Sequence, residues 1–175
     1  MKPLISSGKD NNQNMYRTIT ILVLVLTATF AIQAQKATGV AAPTPQQLSR
    51  LGLKGATLKN VRTGIWRVTT QKGVKAGFVV NSSPYATDVR GFRGTTPVLV
   101  YVDQRAVIRK ITALPNQETP EFFQEAEGLL GRFLGKSAKK AQTEKVDVVS
   151  GATFSSRGLI GHVHAAIEAY RKYAK

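Results

Sequence analysis

What most constrains the fold of this chain is the order of its two hydrophobic periods. Between residues 65 and 114 the strand-type segments come in pairs, and from residue 119 onward the apolar spacing is helical. Residues 65–70 (IWRVTT) and 75–80 (KAGFVV) are rich in β-branched and aromatic side chains, and Gln71-Lys72-Gly73 joins them as a hairpin connection. Residues 97–102 (PVLVYV) and 106–114 (AVIRKITAL) form a second pair around Asp103-Gln104-Arg105, in which Asp103 is expected to shape the turn. A glycine-punctuated loop, residues 88–96, lies between the two pairs.

Thr119 is placed to cap a helix, with Pro120 at its first position and Glu121 and Glu125 near the positive end of the dipole. Phe122, Phe123, Ala126, Leu129, Leu130, Phe133 and Leu134 then recur at three- and four-residue spacing, and Gly135 is the expected stop. A second helix is expected from Ser155 or Ser156 to about Tyr173, with Leu159, Val163, Ile167 and Tyr170 as its apolar stripe. Strands are grouped rather than alternating with helices. That grouping predicts an α+β fold, a small antiparallel sheet of four or five strands with two main helices. Residues 48–59 fit neither period, and Trp66 has no assigned role.

Ahead of this domain, residues 19–32 (ITILVLVLTATFAI) form an uncharged run preceded by Arg17. A membrane span needs about 20 apolar residues and a signal-peptide core about 7–15. Residues 1–34 therefore read as a signal peptide or an uncleaved signal anchor, and either places the remainder outside the cytoplasm. Residues 35–47 (QKATGVAAPTPQQ) read as a flexible tether and residues 48–175 as the folded domain.

Charge and missing residue types remove several function classes. Lys and Arg number 25 against 10 Asp and Glu, a net charge of +15. The positive residues are dispersed, and only Lys136, Lys139, Lys140 and Lys145 cluster, in a segment read as a basic loop. Such a surface suits an acidic protein or an anionic membrane, and without a zinc-finger, RNP-like or helix-turn-helix pattern no nucleic acid is expected. The absence of Cys excludes disulfides, thiolate catalysis and cysteine-held iron–sulfur clusters. His162 and His164 stand two apart, face different directions on a helix, and are expected as surface or half-buried residues with no metal between them. No Walker or dinucleotide-binding loop is present. No catalytic residue is assigned.

The remaining candidate is Asp147-Val148-Val149-Ser150-Gly151-Ala152-Thr153, a small-residue turn leading into the last helix. Helix N-termini hold unpaired amides and attract phosphate. On its residues alone the turn is either an ordinary helix start, with Asp147 accepting backbone N–H bonds, or a phosphate site.

The stretch VDVVSGATFSSRGLIGHVHAAIEA resembles the C-terminal part of the FMN-binding domain family, found in the covalent-flavin subunits of the sodium-pumping NADH:quinone reductase and of the Rnf-type ion-translocating complex. Small exported flavoproteins carry the same domain. The resemblance extends to Glu118-Thr119-Pro120 and to Gly91-Phe92-Arg93-Gly94, covering roughly residues 91–169. It implies covalent FMN on Thr153 through a phosphoester, placed by a flavin transferase that uses FAD. Asp147, Ser150, Gly151 and Ala152 would be the attachment motif, and Glu118 and Thr119 would adjoin the cofactor. The family usually continues Glu-Thr-Pro with Gly-Leu-Gly, where this chain has Glu121-Phe122-Phe123. Phe154, Leu159 and the Phe122/Phe123 helix are expected as an apolar floor for the flavin, with Arg157 as a basic neighbour. The implied function is electron transfer between a membrane donor and an extracytoplasmic acceptor such as a cytochrome, as a carrier or redox subunit rather than a stand-alone enzyme. The alternative is an exported basic module without covalent flavin that docks anionic lipid or an acidic protein.

Overall fold

The computed structural model describes residues 39–174. The signal or anchor segment and the first part of the tether lie outside them. Five strands run β1 (Thr57–Arg62), β2 (Ile65–Thr69), β3 (Lys75–Asn81), β4 (Val98–Asp103) and β5 (Ile108–Ala113). They pair in that order as one antiparallel meander, so each strand neighbours the next and every connection but one is a tight hairpin. The exception is the β3–β4 connection, residues 82–97, which leaves the sheet and returns. Asp103 does shape the β4–β5 hairpin: its Oδ1 accepts from the amides of Arg105 (2.8 Å) and Val107 (2.9 Å).

Alternation along the strands divides the apolar residues between two faces. Ile65, Phe78, Val80, Val98, Val100, Val102 and Ile108 share one core with Leu159, Val163, Ala166 and Ile167 of the last helix. Trp66, Val68, Val79 and Leu99 form the other, covered by Leu48, Leu51 and Leu53. Both faces are buried, which is why β4 reads as the near-continuous apolar run VLVYV.

The cover of the second face includes α1 (Pro45–Arg50), which begins inside the segment read as a tether. Thr44 Oγ1 accepts from the Gln47 amide and Gln47 Oε1 accepts from the Thr44 amide, a capping box with Pro45 at the first helical position. On the first face, the expected long helix from Thr119 is shorter. It is α2 (Pro120–Glu127) followed by a tighter 3₁₀ segment, Gly128–Phe133, because Gly128 and Gly131 weaken α-helix at that point. The segment read as a basic loop contains α3 (Ala138–Gln142), capped by Ser137 and held by buried Ala138 and Ala141. The last helix, α4 (Thr153–Tyr173), begins at Thr153, ahead of the expected start at Ser155 or Ser156. Among the described residues no helix is long and apolar enough to cross a membrane.

Candidate functional site

The chain enters α4 through a turn whose backbone leaves little choice of residue. The Ala152 amide donates to Val149 O (3.1 Å), closing a four-residue turn around Ser150 and Gly151. Gly151 has φ +84°, a conformation an L side chain adopts only with strain. Val149 N–H donates in turn to Ser156 Oγ (3.2 Å), which fastens the turn to the helix it precedes. Ala152 is the N-cap and offers no side-chain acceptor. The first helical bond runs from Ser156 N–H to Ala152 O (2.9 Å), so the amides of Thr153, Phe154 and Ser155 have no intrahelical acceptor. Thr153 is half-buried, and its hydroxyl makes no hydrogen bond among the described residues. A 21-residue helix thus points its positive end at an uncommitted hydroxyl.

Beside this turn lies residues 91–94, a loop organised around one carboxylate. Glu118 is buried, and its oxygens accept from the amides of Arg93 (2.7 Å) and Phe92 (3.1 Å) and from the Ser155 hydroxyl. Burial alone would raise the Glu118 pKa. The hydrogen bonds from Ser155, Arg93, Phe92 and Gly94 together outweigh it and hold the carboxyl below its ordinary value. The Gly91 amide closes the loop on Gly94 O at 2.7 Å. Glycines make the close approach possible. A Cβ on Gly158 of α4 would lie 2.6 Å from Gly91 N, and one on Gly91 would lie 2.8 Å from the Glu118 carboxylate. Glu118 therefore joins the loop, α2 and α4 in a single polar node.

A cleft of about 170 Å³ opens on this node, lined by Phe92, Phe122, Phe154, Thr119, Gly151 and Ala152 together with Glu118 and Ser155. Phe92, Phe154 and Phe122 are 69%, 60% and 47% exposed, unusual for large apolar side chains, and the Phe92 and Phe154 rings stand 6.2 Å apart. Thr153 sits between two of the lining residues.

The structure brings several expected residues together and separates others. Thr119, Gly151 and Ala152 line the cleft, and Ser150 lies in the turn beside it. Glu118 lines it too, but its acceptors are already engaged by the protein. Asp147 is exposed and makes no hydrogen bond or ion pair among the described residues, so it does not tie the turn. The residues expected as an apolar floor separate. Leu159 is fully buried in the main core and Phe123 packs against that core, so neither lines the cleft. Phe92 takes their place, from a loop whose sequence signal is its glycines rather than its aromatic ring. Arg157 is exposed on the first turn of α4. His162 is not a surface residue: it is 1% exposed, with Nδ1 2.9 Å from Ser82 Oγ. His164 is half-buried, edge-on to Phe133 at 5.5 Å. Among the described residues no group of acidic, His or Cys side chains is arranged to hold a metal.

This constellation coincides with a sequence match. The family described as FMN-binding domain matches residues 91–168, from the glycine loop to α4. The chain is also similar to a component of the Na(+)-translocating ferredoxin:NAD(+) oxidoreductase complex of Acetobacterium woodii, 27% identical over 114 residues. That alignment covers 59% of this chain and 53% of the relative, so the chain spans about half the length of that protein. Residues 91–168, which hold the glycine loop, Glu118 and most of α4, are thus similar to the FMN-binding domain family.

Proposed function

We propose that this protein carries FMN covalently, through a phosphoester on Thr153, and works as an exported electron-transfer flavoprotein. The observation that carries the reading is the Thr153 hydroxyl. It has no partner among the described residues, stands at the amide-rich start of α4, and borders a cleft walled by exposed phenylalanines. These residues fit the group. The amides of residues 153–155 suit a phosphate, and Phe92, Phe122 and Phe154 offer apolar faces to a planar ring system.

Attachment by a flavin transferase balances without an oxidant. Thr153 Oγ bonds to the FMN phosphorus of FAD, the pyrophosphate bond breaks, AMP leaves and the hydroxyl proton is released. The diester keeps one negative charge, which the helix end favours by about 0.3–1 kcal/mol. Asp147, Ser150 and Gly151 are exposed and free for a transferase to read, while Gly151 and Ala152 leave space beside the acceptor. When bound, the flavin supplies reversible one- and two-electron chemistry. The chain's own residues position and shield: Glu118 fixes the loop that carries Phe92, and Thr119 with Phe122 forms the facing wall.

The relative from Acetobacterium woodii, named as part of an oxidoreductase complex, supports a role in electron transfer; the partner in this proposal is a membrane redox protein or a cytochrome. The apolar run at residues 19–32 supports a position outside the cytoplasm, tethered or secreted. Co-expression with a flavin transferase tests the proposal. Flavin fluorescence should follow the wild-type band through a denaturing gel and be lost in Thr153→Ala. A non-fluorescent wild-type band, or a fluorescent Thr153→Ala band, would contradict it.

A further inference from the structure

The loop that walls the cleft has a second side. Phe92 lines the cleft, whereas Arg93 lines a separate recess of about 330 Å³, together with Arg90, Thr95, Asn116 and Gln117. Among the described residues no carboxylate lines this recess. Arg90 and Arg93 are both exposed, and neither makes an ion pair among the described residues. Asn116 is already committed, its Nδ2 donating to Leu114 O and its Oδ1 accepting from the Glu118 amide, both at 3.1 Å. The recess thus presents two uncompensated guanidinium groups, and Asp88 and Glu121, the exposed carboxylates nearest in sequence, line neither cavity.

Guanidinium forks match carboxylates in plane and spacing. Here they are mounted on a backbone that Glu118 fixes through the Phe92 and Arg93 amides. Across the same loop lie the exposed rings of Phe92, Phe122 and Phe154. An apolar centre beside uncompensated cations has the composition of a protein-docking face, and the complement of its charge is an acidic surface. Exposed arginines hold a lone small anion weakly, whereas a surface carrying several carboxylates engages both at once and is steered to them at long range.

We propose that Arg90 and Arg93 form the docking site for carboxylate side chains of an acidic partner protein, seated against the cleft. That the partner is a redox protein rests on the flavin reading; the docking surface itself does not.

Fluorescein-labelled hexaglutamate is the probe, titrated against the chain prepared with and without a flavin transferase. Arg90→Gln/Arg93→Gln is compared with Lys139→Gln/Lys140→Gln, an equal loss of exposed charge on α3. The expected result is a roughly fivefold or greater loss of affinity in the arginine pair, less than twofold in the lysine pair, and weakening with salt. Equal losses in the two pairs would show diffuse attraction and overturn the proposal. So would inorganic phosphate displacing the probe at comparable concentration, which marks a small-anion site. Arginine-dependent binding to phosphatidylglycerol vesicles without peptide binding would mark a membrane face and also overturn it. A chain that takes up no flavin yet shows the arginine-dependent binding keeps the docking site and loses the flavin reading.

Discussion

Replacing Glu118 with Gln tests whether one carboxylate organises the cleft. In the native protein Oε1 accepts from the Arg93 amide, and Oε2 accepts from the Phe92 amide and the Ser155 hydroxyl. Glutamine keeps a single acceptor oxygen. Placed at Oε2, it turns an NH₂ group toward the Arg93 amide; placed at Oε1, it turns one toward the Phe92 amide. Either way one backbone donor loses its partner and the surviving bonds lose their charge. A hydrogen bond to a charged group contributes about 1.5–3 kcal/mol and an unmet buried donor costs about 1–3 kcal/mol. Water reaches part of this loop, so the net loss is set at about 2–3 kcal/mol. Urea unfolding followed by Trp66 measures it: this is the chain's single tryptophan, buried on the far face of the sheet, and it reports the domain rather than the loop. The pH dependence gives a second check. The folded-state pKa of Glu118 is lowered, so its stabilisation is complete above the ordinary value of 4.5 and is lost as pH falls through the folded value. The gap between wild type and Glu118→Gln should be constant near neutrality and close below pH 4.5. A gap under about 0.5 kcal/mol at pH 7, or one that widens on acidification, would refute the reasoning.

Gly158→Ala should destabilise the protein by about 1–2 kcal/mol, since its Cβ meets Gly91 backbone at 2.6 and 2.8 Å and overpacking exceeds the helix-propensity gain. Gly161→Ala meets only the end of the Val89 side chain, at 2.7 Å, and should be within about 1 kcal/mol of wild type; the reverse order in thermal unfolding would count against the close loop–helix contact. Thr153→Ala should change stability by less than about 0.5 kcal/mol, because the hydroxyl bonds to nothing among the described residues, and a larger loss would assign it a structural role. His162 and His164 have pKa values lowered mainly by burial, so the unfolded chain takes up protons first. Stability should therefore be full above the ordinary histidine value of 6.5 and fall as pH drops below it, less steeply in His164→Gln; a flat profile between pH 7 and 5 would contradict this.

The sheet and α4 were readable because their signals are local. Strand alternation broken by Gln71-Lys72-Gly73 and by Asp103-Gln104-Arg105 specifies two hairpins, and the Leu159, Val163, Ile167 stripe specifies a helix face. Short elements were not. A six-residue helix such as α1 is too short to stand alone and exists because Leu48, Leu51 and Leu53 bury against Trp66 and Leu99. Its capping signature, Thr44 followed three residues later by Gln47, was nevertheless in the sequence. Lysines concealed α3, whose buried side is only Ala138 and Ala141. At the site, the turn and its hydroxyl were legible, but the Glu118 node was not. It joins residues 92, 93, 118 and 155, and no spacing along the chain announces contacts made by folding.

The central claim concerns one oxygen atom, and one peptide reports on it. Cleavage after Lys145 and Arg157 releases residues 146–157 (VDVVSGATFSSR), which contains Ser150, Thr153, Ser155 and Ser156 as competing hydroxyls. Fragmentation mass spectrometry of this peptide, from protein co-expressed with a flavin transferase, should place FMN less one water on Thr153. The same mass on any of the three serines, or an unmodified peptide alone, would contradict the account.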